Sequence, residues 1–220
     1  MIRRAASHDL DAVEQVYMQR LIWERKNERY SGWIAGVYPS RTVLRRAIAR
    51  GELYALWDGT EIVGAMSLTR GQPEAYEQLR WPVRSFPSQV IGVDLLCVSP
   101  LRGREGLGTQ MLHYAIGLAQ RTRARAVRLD CLERNMPMIA LLEKTGFVLA
   151  AKKAAPCPAG SDEETRWYEY DTVPPRDAKR MPRECSAQKN GRFRSETSVF
   201  LFLRMGASFI TKTLERGCPY

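Results

Sequence analysis

A chain of 220 residues with 45% apolar and 26% charged side chains is long enough for one or two domains and too apolar to remain disordered. It contains no apolar run of membrane-spanning length, and Met1-Ile2-Arg3-Arg4 leads straight into polar sequence, so neither secretion nor membrane insertion is expected. The formal charge is +10, of which residues 174–220 contribute +6 through ten basic and four acidic side chains, so a domain over 1–173 and a basic extension over 174–220 are expected.

In chain order, Ile2 to Ala5 reads as a short extended segment. Ser7 is placed to cap a helix whose first turn carries Asp9 and Asp11, and Leu10, Val13, Tyr17 and Leu21 recur on one face as far as about Glu24. A turn-rich stretch from Tyr30 to Pro39 follows. Ser40 then caps a second helix with Val43, Leu44, Ala47 and Ile48 on its apolar face, and Gly51 closes it. Leu53 to Trp57 and Glu61 to Leu68, joined through Asp58-Gly59, predict a hairpin. The next segment holds Pro73, Pro82 and Pro87. It is too long for a passive connector and suggests a lid on the substrate side.

Val90 to Val98 is an almost continuous apolar run broken by Asp94, as expected of a strand covered on both faces. A glycine-rich turn leads to a third helix bearing Leu107, Met111, Ala115 and Leu118. Ala126 to Leu132 predicts a strand, residues 136–145 a fourth helix stopped at Gly146-Phe147, and residues 147–153 and 166–173 a closing pair of strands. The order β-α-α-β-β-β-α-β-α-β-β implies an α/β or α+β sheet with helices on its faces. Five widely spaced cysteines without a Cys-x-x-Cys pair argue against a disulfide framework or a zinc site and suit a reducing cytoplasm. Two histidines, His8 and His113, argue against a histidine-built metal centre; no metal is expected.

The richest chemistry lies in Leu95-Leu96-Cys97-Val98-Ser99-Pro100-Leu101-Arg102-Gly103-Arg104-Glu105-Gly106-Leu107-Gly108-Thr109. Glycines let the backbone curl until several N–H groups converge, and a helix N-terminus adds partial positive charge, so the stretch suits a polyanion such as a pyrophosphate. Arg102 and Arg104 bring full charges to it. The spacing is neither that of a Walker A loop nor that of a dinucleotide-binding fingerprint.

This segment resembles motif A of the GNAT superfamily of N-acetyltransferases, in which a strand ending in Val-x-Pro is followed by Arg/Gln-x-x-Gly-x-Gly/Ala. Downstream, Arg128 to Asn135 followed by Met138-Ile139-Ala140-Leu141-Leu142-Glu143-Lys144-Thr145-Gly146-Phe147 resembles the family's second signature, and the likeness spans about residues 1–173. The resemblance implies a mixed, mostly antiparallel central sheet with splayed central strands and about four flanking helices. It implies acetyl-CoA as cosubstrate, with the backbone around Leu96, Cys97 and Val98 along the pantetheine arm. The pyrophosphate would lie on the N–H groups of Arg104, Glu105, Gly106, Leu107, Gly108 and Thr109, with Asn135 facing the cofactor near the splayed ends. Two positions depart from the pattern. Gly103 stands where Arg or Gln is common, and Leu142 stands where the family often has a Tyr that protonates the leaving thiolate.

Acetyl transfer to an amine needs the amine neutral, and a lysine-like amine is only on the order of one part in a thousand neutral at pH 7. Asp94, an acid inside an apolar strand, is the first candidate base, and Glu133 at the end of the next strand the second. The backbone N–H near Val98 is the candidate oxyanion donor. Cys97 and Cys131 read as buried, inert thiols. Trp23, Tyr30, Trp33 and Tyr38 crowd the stretch where the resemblance places acceptor entry, and Glu24 and Glu28 would attract a cation there. The expected activity is that of a cytoplasmic acyltransferase moving acetyl from acetyl-CoA to a primary amine, with a small molecule as the favoured acceptor. The alternatives are a protein N-terminal or lysine acetyltransferase, and a non-catalytic acyl-CoA-binding module, which Leu142 favours. A homodimer is compatible with these readings; nucleic-acid and membrane partners are not expected.

Overall fold

The computed structural model describes residues 1–158 and 160–173, so the expected basic extension lies outside the described residues. Its elements are β1 (Ile2–Arg4), α1 (Leu10–Lys26), α2 (Arg41–Ala49), β2 (Leu53–Asp58), β3 (Glu61–Arg70), β4 (Val90–Val98), α3 (Leu107–Arg121), β5 (Ala126–Leu132), α4 (Met136–Lys144), β6 (Val148–Pro156) and β7 (Asp162–Asp171). The seven strands form one sheet in the order β1-β2-β3-β4-β5-β7-β6, and every neighbouring pair is antiparallel except β4 with β5. This is the mixed, mostly antiparallel architecture expected. Among the described residues, no helix is long and apolar enough to cross a membrane.

Both sheet faces are covered, because strand alternation sends apolar side chains each way. Met66, Val93, Val127, Leu129 and Tyr168 join Met111, Leu112, Ala115, Ile139 and Leu142 of α3 and α4 in one core. On the opposite face Val13, Val16 and Tyr17 of α1 and Leu44 and Ile48 of α2 pack on Leu53, Ala55, Ala65, Leu95 and Cys97. The cap at Ser40 forms as expected, accepting the Val43 N–H, and Gly51 ends the helix at φ +66° with its N–H on Ile48. Ser7 does not cap α1. It starts a single 3₁₀ turn over Ser7–Asp9, where the buried Asp9 carboxylate accepts the Ala6 N–H at 2.8 Å and pairs with Arg3, so α1 begins at Leu10.

Two irregularities shape the middle of the sheet. β4 and β5 pair only from Val90 to Gly92 against Ala126 to Arg128, and beyond those residues the two strands run on without pairing and open a wedge. Opposite, β4 carries a bulge: Ser67 faces Asp94 while Ala65 faces Cys97, so three steps on β4 match two on β3. Leu95 takes φ +58° to make it. A leucine there costs about 1–2 kcal/mol. Two bonds offset that cost: the Asp94 carboxylate accepts the Leu95 N–H at 2.6 Å, and the Tyr17 hydroxyl of α1 donates to the Leu95 carbonyl at 2.8 Å.

The proline-rich segment between β3 and β4 is no free lid. Two 3₁₀ turns, Glu74–Gln78 and Pro87–Gln89, punctuate it, and its Tyr76, Leu79 and Trp81 pack on Trp167, Ala151 and Ala155 of β7 and β6. We call it the strap.

Candidate active site

The wedge between β4 and β5 places two carboxylates opposite each other. Asp94 on β4 accepts a hydrogen bond from the Tyr38 hydroxyl at 2.7 Å, and Asp130 on β5 accepts one from the Tyr76 hydroxyl. Tyr38 comes from the loop between α1 and α2, and Tyr76 from the strap. Both carboxylates are reached by solvent yet crowded by protein, as at the floor of a cleft. That crowding pushes Asp130 up to about 6, with the Tyr76 hydrogen bond pulling it back and the Asp94 charge adding to the rise. The same crowding raises Asp94, against the pull of the Tyr38 hydroxyl and the Leu95 N–H. Their use differs. Both Asp94 oxygens are engaged, one by Leu95 and one by Tyr38, whereas Asp130 has one oxygen with no hydrogen bond among the described residues.

Glu133, the other acid singled out, is outside this pair. Arg166 holds it through two nitrogens, one at 2.6 Å, and Lys152 adds a contact at 3.4 Å. These hydrogen bonds and charges lower its carboxyl to about 2.

The wedge is roofed on one side. Glu24, buried on α1, accepts the Ser31 N–H and hydroxyl and so ties down the start of the α1–α2 loop instead of meeting solvent. Further along that loop, Trp33 meets Tyr17 edge-on with ring centres 5.6 Å apart, while Trp23 stacks on Tyr30. The loop reaches the far edge of the wedge: Arg134, after β5, donates to the Arg29 carbonyl at 2.6 Å and pairs with Glu163 on β7. A Cβ at Gly32 would lie 2.7 Å from Leu132 and 2.9 Å from Cys157, so glycine is what lets the loop settle there.

Beyond the bulge, Leu96 and Val98 turn half-buried side chains toward α3 and α4 while Cys97 is buried on the α1 side. Ser99 gives its N–H to Val63 on β3, so strand alternation turns the N–H of Val98 the other way, into the wedge. Burial pushes the Cys97 thiol up to about 11 and that of Cys131 to about 12, which leaves both protonated at neutral pH.

The turn before α3 runs through Pro100–Arg102, then Gly103, Arg104 at φ +66° and Gly106 at φ +76°, with Arg104, Glu105 and Gly106 exposed. The first-turn N–H groups of α3, at Leu107, Gly108 and Thr109, have no carbonyl within the helix to receive them. A Cβ at Gly106 would point into open space, so left-handed backbone is what requires glycine there. A Cβ at Gly108 would come 2.9 Å from Leu141, so this glycine serves the approach of α4. Arg102 does not present its charge to the turn: it forks onto Glu105 at 2.7 to 3.0 Å and reaches Asp58 at 2.8 Å. The pairing lowers the Glu105 carboxyl. Among the described residues Arg104 has no ion pair.

Asn135 caps α4, its side-chain oxygen accepting the Met138 N–H at 3.2 Å. Leu142 is fully buried in the core under α4. The sequence reading missed Asp130 and Tyr76. Asp130 carried the signal used for Asp94, an acid inside an apolar strand; Tyr76 carried none, standing 54 residues from the group it meets.

A sequence model described as Acetyltransferase (GNAT) family matches residues 14–147. The chain is 23% identical over 137 residues to a Bacillus subtilis (strain 168) protein named the uncharacterized N-acetyltransferase YvbK, covering 61% of this chain and 79% of that one. An N-acetyltransferase structure from Staphylococcus aureus Mu50 superposes with TM-score 0.58 at 17% identity, covering 79% of this chain and 98% of the other. The Salmonella typhimurium protein yncA, solved with its cofactor acetyl-CoA, does so with TM-score 0.57 at 18% identity, covering 81% and 98%. These structural likenesses speak for the fold.

Proposed function

Because the chain belongs to the GNAT acetyltransferase family, we propose that it moves an acetyl group from acetyl-CoA to a small primary amine by direct attack of the neutral amine on the thioester. The observation that carries this reading is the wedge between β4 and β5, with a pair of carboxylates on its floor and the N-terminus of α3 at its mouth. The turn fits a diphosphate: exposed backbone at Glu105 and Gly106, first-turn N–H groups of α3 with no carbonyl within the helix, and the charge of Arg104, which has no ion pair among the described residues. When bound, acetyl-CoA supplies an activated acyl carbon and a thiol leaving group.

The remaining roles fall to the protein. We assign the proton from the acceptor ammonium to the open oxygen of Asp130, because a carboxylate raised to about 6 is ionised at neutral pH and a stronger base than an ordinary one. Asp94, the acid that the sequence puts first, keeps a second negative charge beside the ammonium and braces the bulge through Leu95. We give Glu133 no proton, since Arg166 and Lys152 hold its basicity down. The Val98 N–H is the donor for the developing oxyanion. No tyrosine stands at position 142, so the thiolate leaves without a donor from that position; a thiol with a pKa near 8.5 is a tolerable leaving group. A small acceptor is favoured because Arg134, bonded to the Arg29 carbonyl and paired with Glu163, ties the α1–α2 loop to β7 across the far edge of the wedge.

Calorimetry with acetyl-CoA, followed by thiol release with a panel of amines, tests the proposal. Binding with thiol release for at least one amine supports it. The second reading, an acyl-CoA-binding module without turnover, is favoured by the core leucine at 142 and is what binding without release from any amine would establish. No binding at millimolar acetyl-CoA rejects both.

A further inference from the structure

Arg128 on β5 and Glu169 on β7 are almost wholly buried, 2% and 0% exposed, and stand opposite each other in the sheet. Arg128 Nε donates to Glu169 at 2.9 Å. The same two side chains take hold of one residue of the strap, Val83, through both its N–H and its carbonyl. Glu169 accepts the Val83 N–H at 2.7 Å, and Arg128 donates to the Val83 carbonyl at 3.0 Å and to the Ser85 hydroxyl at 2.9 Å. The guanidinium also reaches Gln72 and lies over the Trp81 ring at 4.2 Å. Trp81 in turn donates its indole N–H to the Tyr76 carbonyl at 2.8 Å, with the two rings 5.3 Å apart.

A contiguous path therefore runs from Glu169 through Arg128 and Trp81 to Tyr76, and it ends on Asp130. Arg128 and Asp130 are two residues apart on one strand, so the strap is fastened to a single face of β5 at two points. Burying an ion pair is poor economy for stability alone, since apolar residues of similar volume often do as well. Apolar residues would leave the Val83 N–H and carbonyl without these partners. The pair thus fixes the position of the strap backbone.

We propose that the buried Arg128–Glu169 pair is a positioning device for the acceptor site: by clamping the strap at Val83 and Trp81 it holds the Tyr76 hydroxyl on Asp130. This rests on Asp130 being the proton acceptor, while the geometry at stake can be read without turnover. The groups that face Asp130 are Tyr76 from the strap, Asp94 from β4 and Tyr38 from the α1–α2 loop, while its strand neighbour Cys131 lies on the opposite face of β5.

The test is a carbon-detected NMR titration of the Asp130 carboxyl in wild type, Tyr76→Phe, Trp81→Phe, Glu169→Gln and the two double variants with Tyr76→Phe. Calorimetry with acetyl-CoA runs alongside as the check of folding. Wild type titrates at about 6, and Tyr76→Phe moves the midpoint up by on the order of one pH unit, because the phenol no longer favours the carboxylate. Trp81→Phe and Glu169→Gln move it the same way by a smaller amount, and neither adds to the shift once Tyr76→Phe is present. With an amine that turns over, both raise the acceptor KM and leave the acetyl-CoA KM unchanged. Wild-type midpoints in Trp81→Phe and Glu169→Gln, or shifts that add fully to that of Tyr76→Phe, overturn the proposal. If Glu169→Gln loses acetyl-CoA binding, Trp81→Phe decides. Coupled shifts without turnover on any amine keep the positioning role and reject only the acetyl-transfer reading.

Discussion

The turn between β4 and α3 presents backbone N–H groups, whereas the floor between β4 and β5 presents side-chain carboxylates. The turn is built from consecutive residues and depends on its dihedral angles: its essential glycine, Gly106, is defined by φ +76° and not by what surrounds it. The floor is assembled from residues 38, 76, 94 and 130 and depends on which oxygen each hydroxyl reaches. A backbone site of this kind tolerates altered side chains but not altered backbone geometry, and a side-chain site does the reverse. An anion and a cation can accordingly be recognised by separately breakable parts of one wedge in the middle of the sheet.

The largest expected break falls on the floor. Asp130→Asn lowers kcat by about 10²–10⁴-fold, the usual worth of a positioned base, while the acetyl-CoA Kd from calorimetry stays within about twofold of wild type. Equal losses in both quantities would mean that the two regions are not separable. Next is the turn. Gly106→Ala forces a Cβ into left-handed backbone at a cost of about 1 kcal/mol, so acetyl-CoA should bind roughly fivefold more weakly while kcat at saturation is retained. Gly103→Ala is the control, since its φ of −66° is ordinary and a new Cβ would meet only the Pro100 carbonyl at 3.6 Å.

A smaller effect is expected at Arg102, which neutralises Glu105 within the turn. Arg102→Ala leaves that carboxylate bare beside an incoming diphosphate and weakens acetyl-CoA binding by about two- to threefold at low salt, and Arg102→Ala with Glu105→Ala restores it. A double variant no better than the single one would show that Arg102 itself contacts the ligand. The smallest effect is on stability. Asp130 is held at about 6, above the ordinary value near 3.9 of an unfolded chain, so the folded protein binds that proton more tightly. Its contribution to stability is full below about pH 4 and is lost as the pH rises through about 6. Asp130→Asn should therefore melt a few degrees above wild type at pH 7.5, with the gap closing toward pH 4 in thermal scans. Over the same interval, acetyl transfer by wild type, read as kcat/KM for the amine, falls as the pH drops through about 6.

The contrast also explains what was legible from sequence. Helical periodicity, the cap at Ser40 and the stop at Gly51 are local, and the whole order of elements follows from such signals. The turn is equally local: one strand end, a few glycines and the start of an amphipathic helix. The floor is not. Asp94 stood out because it breaks an apolar strand, but its tyrosine lies 56 residues away. Glu133 looked comparable until the fold brought Arg166 of β7 beside it, 33 residues along the chain. Asn135 shows a local signal with a second use, since an Asn at a helix start is also a cap. The prolines of the strap suggest a lid because nothing in them discloses that Arg128 and Glu169 grip it from below.

The acidic floor has a bearing on how the cycle would finish. An ammonium approaches two carboxylates as a cation, but once acylated it is a neutral amide with no charge left for them to hold. Departure of the product is then favoured by the same residues that drew the acceptor in, and accumulated amide competes poorly with fresh amine for the cleft.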